Sequence, residues 1–397
     1  MELSHITYLN IIKNIDLTPP ESVTIPPQIK PELVTLASRH ATLPFLLPYI
    51  NDPQYLPLLK QQAKRMLLNY CQIEQFTRCI VSIFEKEQIP YFLLKGISLC
   101  DCYPIPEYRK LGDVDLYIND PPALEKAKKL LKQNGFVLQD ELSDHHLTYS
   151  YTFPAIGRTF LLELHFRITG LYQYALANAV VDEVFSANIL AHTCQTVNGI
   201  SYSVLPPTEY TFYMLHHMLK HYLYSGFGIR LLCDFTFYLK RHAREIDFQR
   251  IHDWCTRSRI FHFYEIILQS CRLYLGLPDT IDPEIQYKET DCEQFILKIL
   301  SDNDMGTVTG NTLVGSGSYR RITPLTYFKE GHLQMHVRFP RIGKCPLLWP
   351  ALWGITFFCF VRNTYKLRRT TLRDTLHAFH KSNENSQLIR IFDNSDS

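Results

Sequence analysis

Asp113-Val114-Asp115-Leu116-Tyr117-Ile118 reads as a β-strand with two unlike faces. Side chains alternate along a strand, so Val114, Leu116 and Ile118 share one face and Asp113 and Asp115 point from the other. The first face suits a core. On the second, two carboxylates about 7 Å apart repel each other unless a cation lies between them. For an isolated Asp-x-Asp a solvated strand edge is the commoner reading, so the neighbouring segments decide.

On the N-terminal side, Pro90-Tyr91-Phe92-Leu93-Leu94 is a short apolar run that stops at Lys95-Gly96-Ile97-Ser98. That pattern suits a buried strand followed by a tight turn. A turn from strand into helix aims backbone N–H groups at whatever anion lies above it, and so can hold a phosphate. On the C-terminal side, Asn119-Asp120-Pro121-Pro122 caps a helix that stops at Gly135. Two further strands are expected at 147–153 and 160–167, joined by a turn at 155–158. In the second, Phe160, Leu162, Leu164 and Phe166 form the core face, and Leu161, Glu163, His165 and Arg167 the opposite one. Glu163 is thus a third carboxylate, on a strand able to lie beside Asp113 and Asp115. Three carboxylates on neighbouring strands, next to a phosphate-binding turn, can bind divalent metal for phosphoryl or nucleotidyl transfer.

Helical patterns surround this centre. Residues 55–84 have apolar positions at helical spacing and no glycine, and 208–224 and 230–241 read as two aromatic-rich helices. The expected organisation is a helical region over 1–85, an α/β core over 86–200, a helical domain over 201–300, and a loop plus basic, aromatic region over 301–397. The fold class is α/β (α+β): a small mixed sheet flanked by helical N- and C-terminal regions.

Composition narrows the function. The chain has 397 residues, 46% of them hydrophobic, with 41 Lys+Arg against 39 Asp+Glu. Such a chain buries a substantial core, and its near-neutral charge disfavours a dedicated nucleic-acid coat. The 11 cysteines are scattered without zinc-knuckle spacing, and Met1-Glu2-Leu3-Ser4-His5 has no leader-like pattern. Reduced thiols in a cytoplasmic protein are expected. The apolar stretch 345–361 is interrupted by Pro346 and Pro350, too short to span a bilayer, and is expected to be buried by the chain's own helices. Residues 319–397 carry 13 basic and 5 acidic side chains, a charge able to attract anionic lipid or RNA, with a solvated face as the default.

Leu93-Leu94-Lys95-Gly96, Tyr103-Pro104, Arg109, Gly112-Asp113-Val114-Asp115-Leu116 and Glu163-Leu164-His165 together resemble the uncharacterised nucleotidyltransferases of the DNA polymerase β-like superfamily. Leu205-Pro206-Pro207, His216-His217 and Arg230-Leu231-Leu232-Cys233-Asp234 resemble the helical region that follows there. The resemblance spans about residues 60–300. It implies Asp113, Asp115 and Glu163 as catalytic ligands of Mg²⁺ (or Mn²⁺), and Lys95, Gly96, Ser98 and Arg109 as the nucleotide-binding set. An NTP, expected to be ATP, would donate NMP to an acceptor hydroxyl with release of pyrophosphate, with Glu163 as ligand and general base. Gly96-Ile97 stands where Gly-Ser or Gly-Gly is usual, and Glu163 where Asp is more frequent.

Lys95 and Arg109 can neutralise a triphosphate or balance the acidic residues. His165 can orient Glu163 or support it from behind. His217 and His221, at i and i+4, are read as helix packing, and Arg230 with Asp234 as a local ion pair. The acceptor is unidentified, with a lean to a non-polymer. Nucleic acid is not favoured, and no transmembrane span is expected. The alternatives are a non-catalytic binding module of the same fold, or a membrane-peripheral partner protein acting through 345–361.

Overall fold

The computed structural model describes residues 1–15, 23–140, 143–172, 175–186, 193–224, 226–304 and 328–366, the last without 329–330, 333–334, 337 and 340–341. Its strands are β1 (Phe92–Leu93), β2 (Val114–Tyr117), β3 (Val137–Asp140), β4 (His146–Phe153), β5 (Arg158–His165), β6 (Thr193–Val197) and β7 (Ile200–Val204). They form one mixed sheet in the order β3-β4-β5-β2-β1-β7-β6. β2 runs parallel to β5, which sets Asp115 opposite Glu163 and Tyr117 opposite His165. β4 runs antiparallel to β5, which sets His146 opposite His165.

Both faces of the sheet are covered. Val114, Leu116, Ile118, Leu162 and Leu164 share one core with Phe76, Ile80 and Phe84 of α3 (Leu56–Lys86) and Ala127 and Leu131 of α5 (Pro121–Gln133). Phe92 and Tyr117, on the other face, join a second core. It is built by α1 (Leu3–Lys13), α2 (Lys30–Arg39), α6 (Ala175–Val184), α7 (Pro207–Tyr224), α8 (Ile229–His242), α9 (Phe248–Arg257), α10 (Phe261–Leu275) and α11 (Glu289–Ser301). Asp115 lies on the Tyr117 side, so its carboxylate faces protein rather than water. That placement makes the site.

Local signals explain the elements around it. Asp120 accepts the Ala123 N–H at the start of α5, Pro121 occupies its first turn, and Gly135 at φ +84° follows its end. The β6–β7 hairpin turns on Asn198-Gly199, both at positive φ, a pairing that matches strand twist. Gly96, at φ +77°, breaks the chain between β1 and the short α4 (Ile97–Cys100), a conformation that only glycine adopts without strain.

Two expectations need correcting. Phe166 is 37% exposed rather than on the core face. β5 ends at His165, and the amides of Phe166 and Arg167 both bond the His145 carbonyl, so the alternation stops there. Residues 345–358 of the apolar stretch are likewise mostly not buried, Leu352 being the exception. They begin with a 3₁₀ turn (Pro346–Leu348), in which Leu347 is 90% exposed, and run into α12 (Trp349–Lys366), in which Phe357 is 68% exposed. Among the described residues, Trp349 and Trp353 pack locally, against Phe328, His332 and His336, so that side of the helix has cover. No helix among the described residues is long and apolar enough to cross a membrane. The described cysteines are free thiols. Of the basic residues in 319–397, those at 320, 321, 329, 341 and within 367–397 lie outside the described residues.

Candidate active site

Asp115 is fully buried, and its two oxygens have unlike surroundings. Oδ1 lies 3.1 Å from Lys95 Nζ and 3.2 Å from His165 Nε2. Oδ2 is buried and has no hydrogen-bond partner among the described residues. A buried carboxylate oxygen left without a donor costs at least about 1–3 kcal/mol. Glu163, its neighbour across the β2–β5 ladder, has Oε2 3.4 Å from His165 Nε2 and Oε1 3.7 Å from His146 Nε2. One ligand atom from each of Asp115, Glu163 and His165 lies within 4.8 Å of the other two. The orphaned oxygen and this donor set fit a divalent cation.

The charges are interlocked. Burial draws the Lys95 ammonium down, but the Asp113 and Asp115 carboxylates outweigh it and hold Lys95 well above the ordinary lysine value. Burial pushes the Glu163 carboxyl up; the His165 hydrogen bond and the Lys95 charge overcome that and bring it to about 2. His165 is raised: burial disfavours the imidazolium, while Asp115 and Glu163 favour it more. Asp113, half-buried, acts on both Lys95 and Glu163 and lines a cavity of about 200 Å³.

That cavity lies between the Lys95-Gly96 turn, residues 109–113 and helices α7 and α8, where Tyr213, His217 and Arg230 wall it. Arg109 also reaches it, with its guanidinium held by protein. Nε and Nη2 grip the two Asp234 oxygens at 2.8 Å each, and Nη1 lies 3.3 Å from the Gly96 carbonyl. Arg109 therefore straps the turn to α8. Ser98 is buried, does not line the cavity, and has its hydroxyl 3.2 Å from Tyr210. Arg230 and Asp234 do form the expected pair, at 3.5 Å, and Arg230 also meets Asp304, which Lys110 contacts at 3.0 Å. His217 and His221 pack ring to ring, with centroids 4.6 Å apart.

The structure thus gathers Lys95, Gly96, Asp113, Asp115, Glu163 and His165 around one region, gives Arg109 a strapping position, and sets Ser98 behind it. Sequence reasoning passed over Asp144, His145, His146 and Lys220. His145 Nε2 lies 2.7 Å from Lys220 Nζ, and the His145 and His165 ring centroids are 5.6 Å apart. The only sequence signal was the Asp144-His145-His146 run just before β4, which gains meaning only from the β4–β5 register.

A mixed sheet with helices on both faces thus carries an acidic, cation-compatible centre on its buried polar side. The chain belongs to the family of uncharacterised nucleotidyltransferases, whose model matches residues 28–276. Among solved structures it is similar to an antigenic nucleotidyltransferase-like protein from Paracoccidioides brasiliensis. That match has 17% identity, covers 52% of this chain and 95% of the other, and has a TM-score of 0.34. No curated protein matches the chain.

Proposed function

We propose that the protein is a metal-dependent nucleotidyltransferase of the polymerase β-like kind, moving NMP from an NTP, with ATP as donor, onto an acceptor hydroxyl with release of pyrophosphate. The observation that carries this reading is Asp115, opposite Glu163 on parallel strands, with a buried oxygen that no described donor satisfies. Divalent ions held by Asp113, Asp115 and Glu163 would, when bound, neutralise the triphosphate and favour ionisation of the acceptor hydroxyl. Lys95 would fix Asp115 Oδ1 and leave Oδ2 as a ligand. Gly96 and the amides after it would receive phosphate oxygens, with Arg109 and Ser98 holding that turn in position. Glu163 would serve as ligand and would receive the proton of an acceptor hydroxyl that the bound metal has already acidified, and His165 would orient it.

The acceptor is proposed to be a non-polymer, and the compartment the cytoplasm. Incubation of the protein with each α-labelled NTP, Mg²⁺ and a cell extract tests the reaction. Label on an acceptor that disappears with Asp115→Asn is expected; equal labelling by that variant would contradict it. A second role, peripheral attachment to membranes, is favoured by the exposed Leu347, Phe357 and Phe358. Co-flotation with anionic liposomes is its expected signature, and recovery wholly in the lipid-free fraction would dismiss it.

A further inference from the structure

Beside the carboxylate pair lies a second set of donors, of which the proposed transfer reaction uses His165 alone. His146 opens β4 opposite His165, and His145 precedes it. One ring nitrogen from each of His145, His146 and His165 lies within 4.8 Å of the other two. His145 is braced for coordination: Nδ1 is 2.7 Å from Asp144 Oδ1, and Asp144 Oδ2 accepts the Leu171 N–H at 2.8 Å. An ionised carboxylate only accepts, so Nδ1 carries the proton and Nε2 presents its lone pair. A carboxylate behind the far nitrogen is the usual support of a metal-binding histidine.

The Nε2 lone pair has two suitors, His146 Nδ1 at 2.9 Å and Lys220 Nζ at 2.7 Å. The Ser143 hydroxyl, 3.1 Å from His146 Nδ1, can supply that nitrogen, which leaves the Lys220 ammonium as the donor on this lone pair. A second observation points the same way: His165 is buried, and its Nδ1 has no hydrogen-bond partner among the described residues. The site already attracts positive charge, because the Lys220 ammonium is lodged against it. Gly170 leaves room for that ammonium; a Cβ there would sit 3.0 Å from Lys220 Nζ and 3.2 Å from Asp144 Oδ1.

We propose that His145, His146 and His165 form a nitrogen-donor site for a borderline divalent transition metal of the Zn²⁺ class, with Lys220 as the resident cation that the metal displaces. Imidazole nitrogen prefers such ions, whereas the neighbouring oxygen pair suits Mg²⁺ or Mn²⁺. The proposal does not require that the protein transfer nucleotides.

The test is titration of the full chain with CoCl₂ and ZnCl₂ without nucleotide, followed by calorimetry and by the visible Co²⁺ absorption. The wild type should bind Zn²⁺ at least tenfold more tightly than Mg²⁺ and show a Co²⁺ band in the visible. His145→Gln and His146→Gln should each weaken Zn²⁺ by tenfold or more, and Asp144→Asn by about tenfold through loss of support alone. Lys220→Met should tighten it, a gain that misfolding cannot imitate. Zn²⁺ affinity unchanged in both histidine variants, or unchanged in Lys220→Met, would overturn the site. Loss of Mg²⁺·ATP binding in the wild type would instead overturn the transferase proposal and leave the Co²⁺ result as it is.

Discussion

Asp115 shows how a residue can be legible in sequence while its partners are not. Period-two alternation is local, so Asp113, Asp115 and Glu163 could be placed on polar faces from six-residue windows. The partner of Arg109 could not, because Asp234 lies 125 positions away and meets it only through the packing of α8. Arg109 and Asp234 are both buried, and removing one partner of such a pair strands the other charge, at a cost of about 3–5 kcal/mol. Asp234→Ala is therefore expected to lower the unfolding free energy by about that amount in urea titrations, even though Asp304 still holds Arg230. A loss below about 1 kcal/mol would show that the strap is incidental.

Elements with strong local punctuation were readable, and those fixed by pairing were not. α5 has its Asp120 cap, its prolines and its terminal glycine in sequence. β3, β6 and β7 are short and mix polar with apolar residues, so neighbouring strands define them. α12 misled because its aromatic residues imply a core, whereas among the described residues its tryptophans meet only the nearby Phe328, His332, His336 and Gly343. Gly96 is the sharpest test at this scale. A Cβ there would meet only the Asp113 carbonyl at 4.0 Å, so strain rather than a clash opposes substitution. Gly96→Ala is expected to destabilise by about 1–2 kcal/mol and to weaken nucleotide binding more than Gly157→Ala, a second positive-φ glycine with open space around it. Equal nucleotide affinity in the two variants would remove the turn from the site.

The whole molecule carries a pH signature in its buried histidines. Burial holds His40 down to about 4, and His216 and His221 to about 3, against 6.5 in the unfolded chain. Between those values the unfolded state binds protons that the folded state refuses. Stability therefore rises with pH there, and is lost as pH falls from about 6.5 towards 4. Each such group contributes up to about 1.4 kcal/mol per pH unit. His165 is raised and has the opposite sign: its contribution is present at low pH and fades as pH climbs past its folded value. Burial also lowers His145, His146 and His217, so the lowered histidines outnumber the raised one and the melting temperature should fall steadily from pH 7 to 4.5. A flat profile would contradict the neutral burial of these histidines.

The central claim is that Asp113 and Asp115 hold the cation to which a nucleotide binds. It is tested most directly by the thermal shift that Mg²⁺·ATP produces in the wild type and in the Asp113→Asn, Asp115→Asn double variant. Ligand at a hundred times its Kd stabilises the native state by about 2.7 kcal/mol, so a clear Mg²⁺-dependent rise in Tm is predicted for the wild type. The metal-dependent part should vanish in a double variant whose circular dichroism is unchanged. An undiminished shift in that variant, or none in the wild type, would contradict the account.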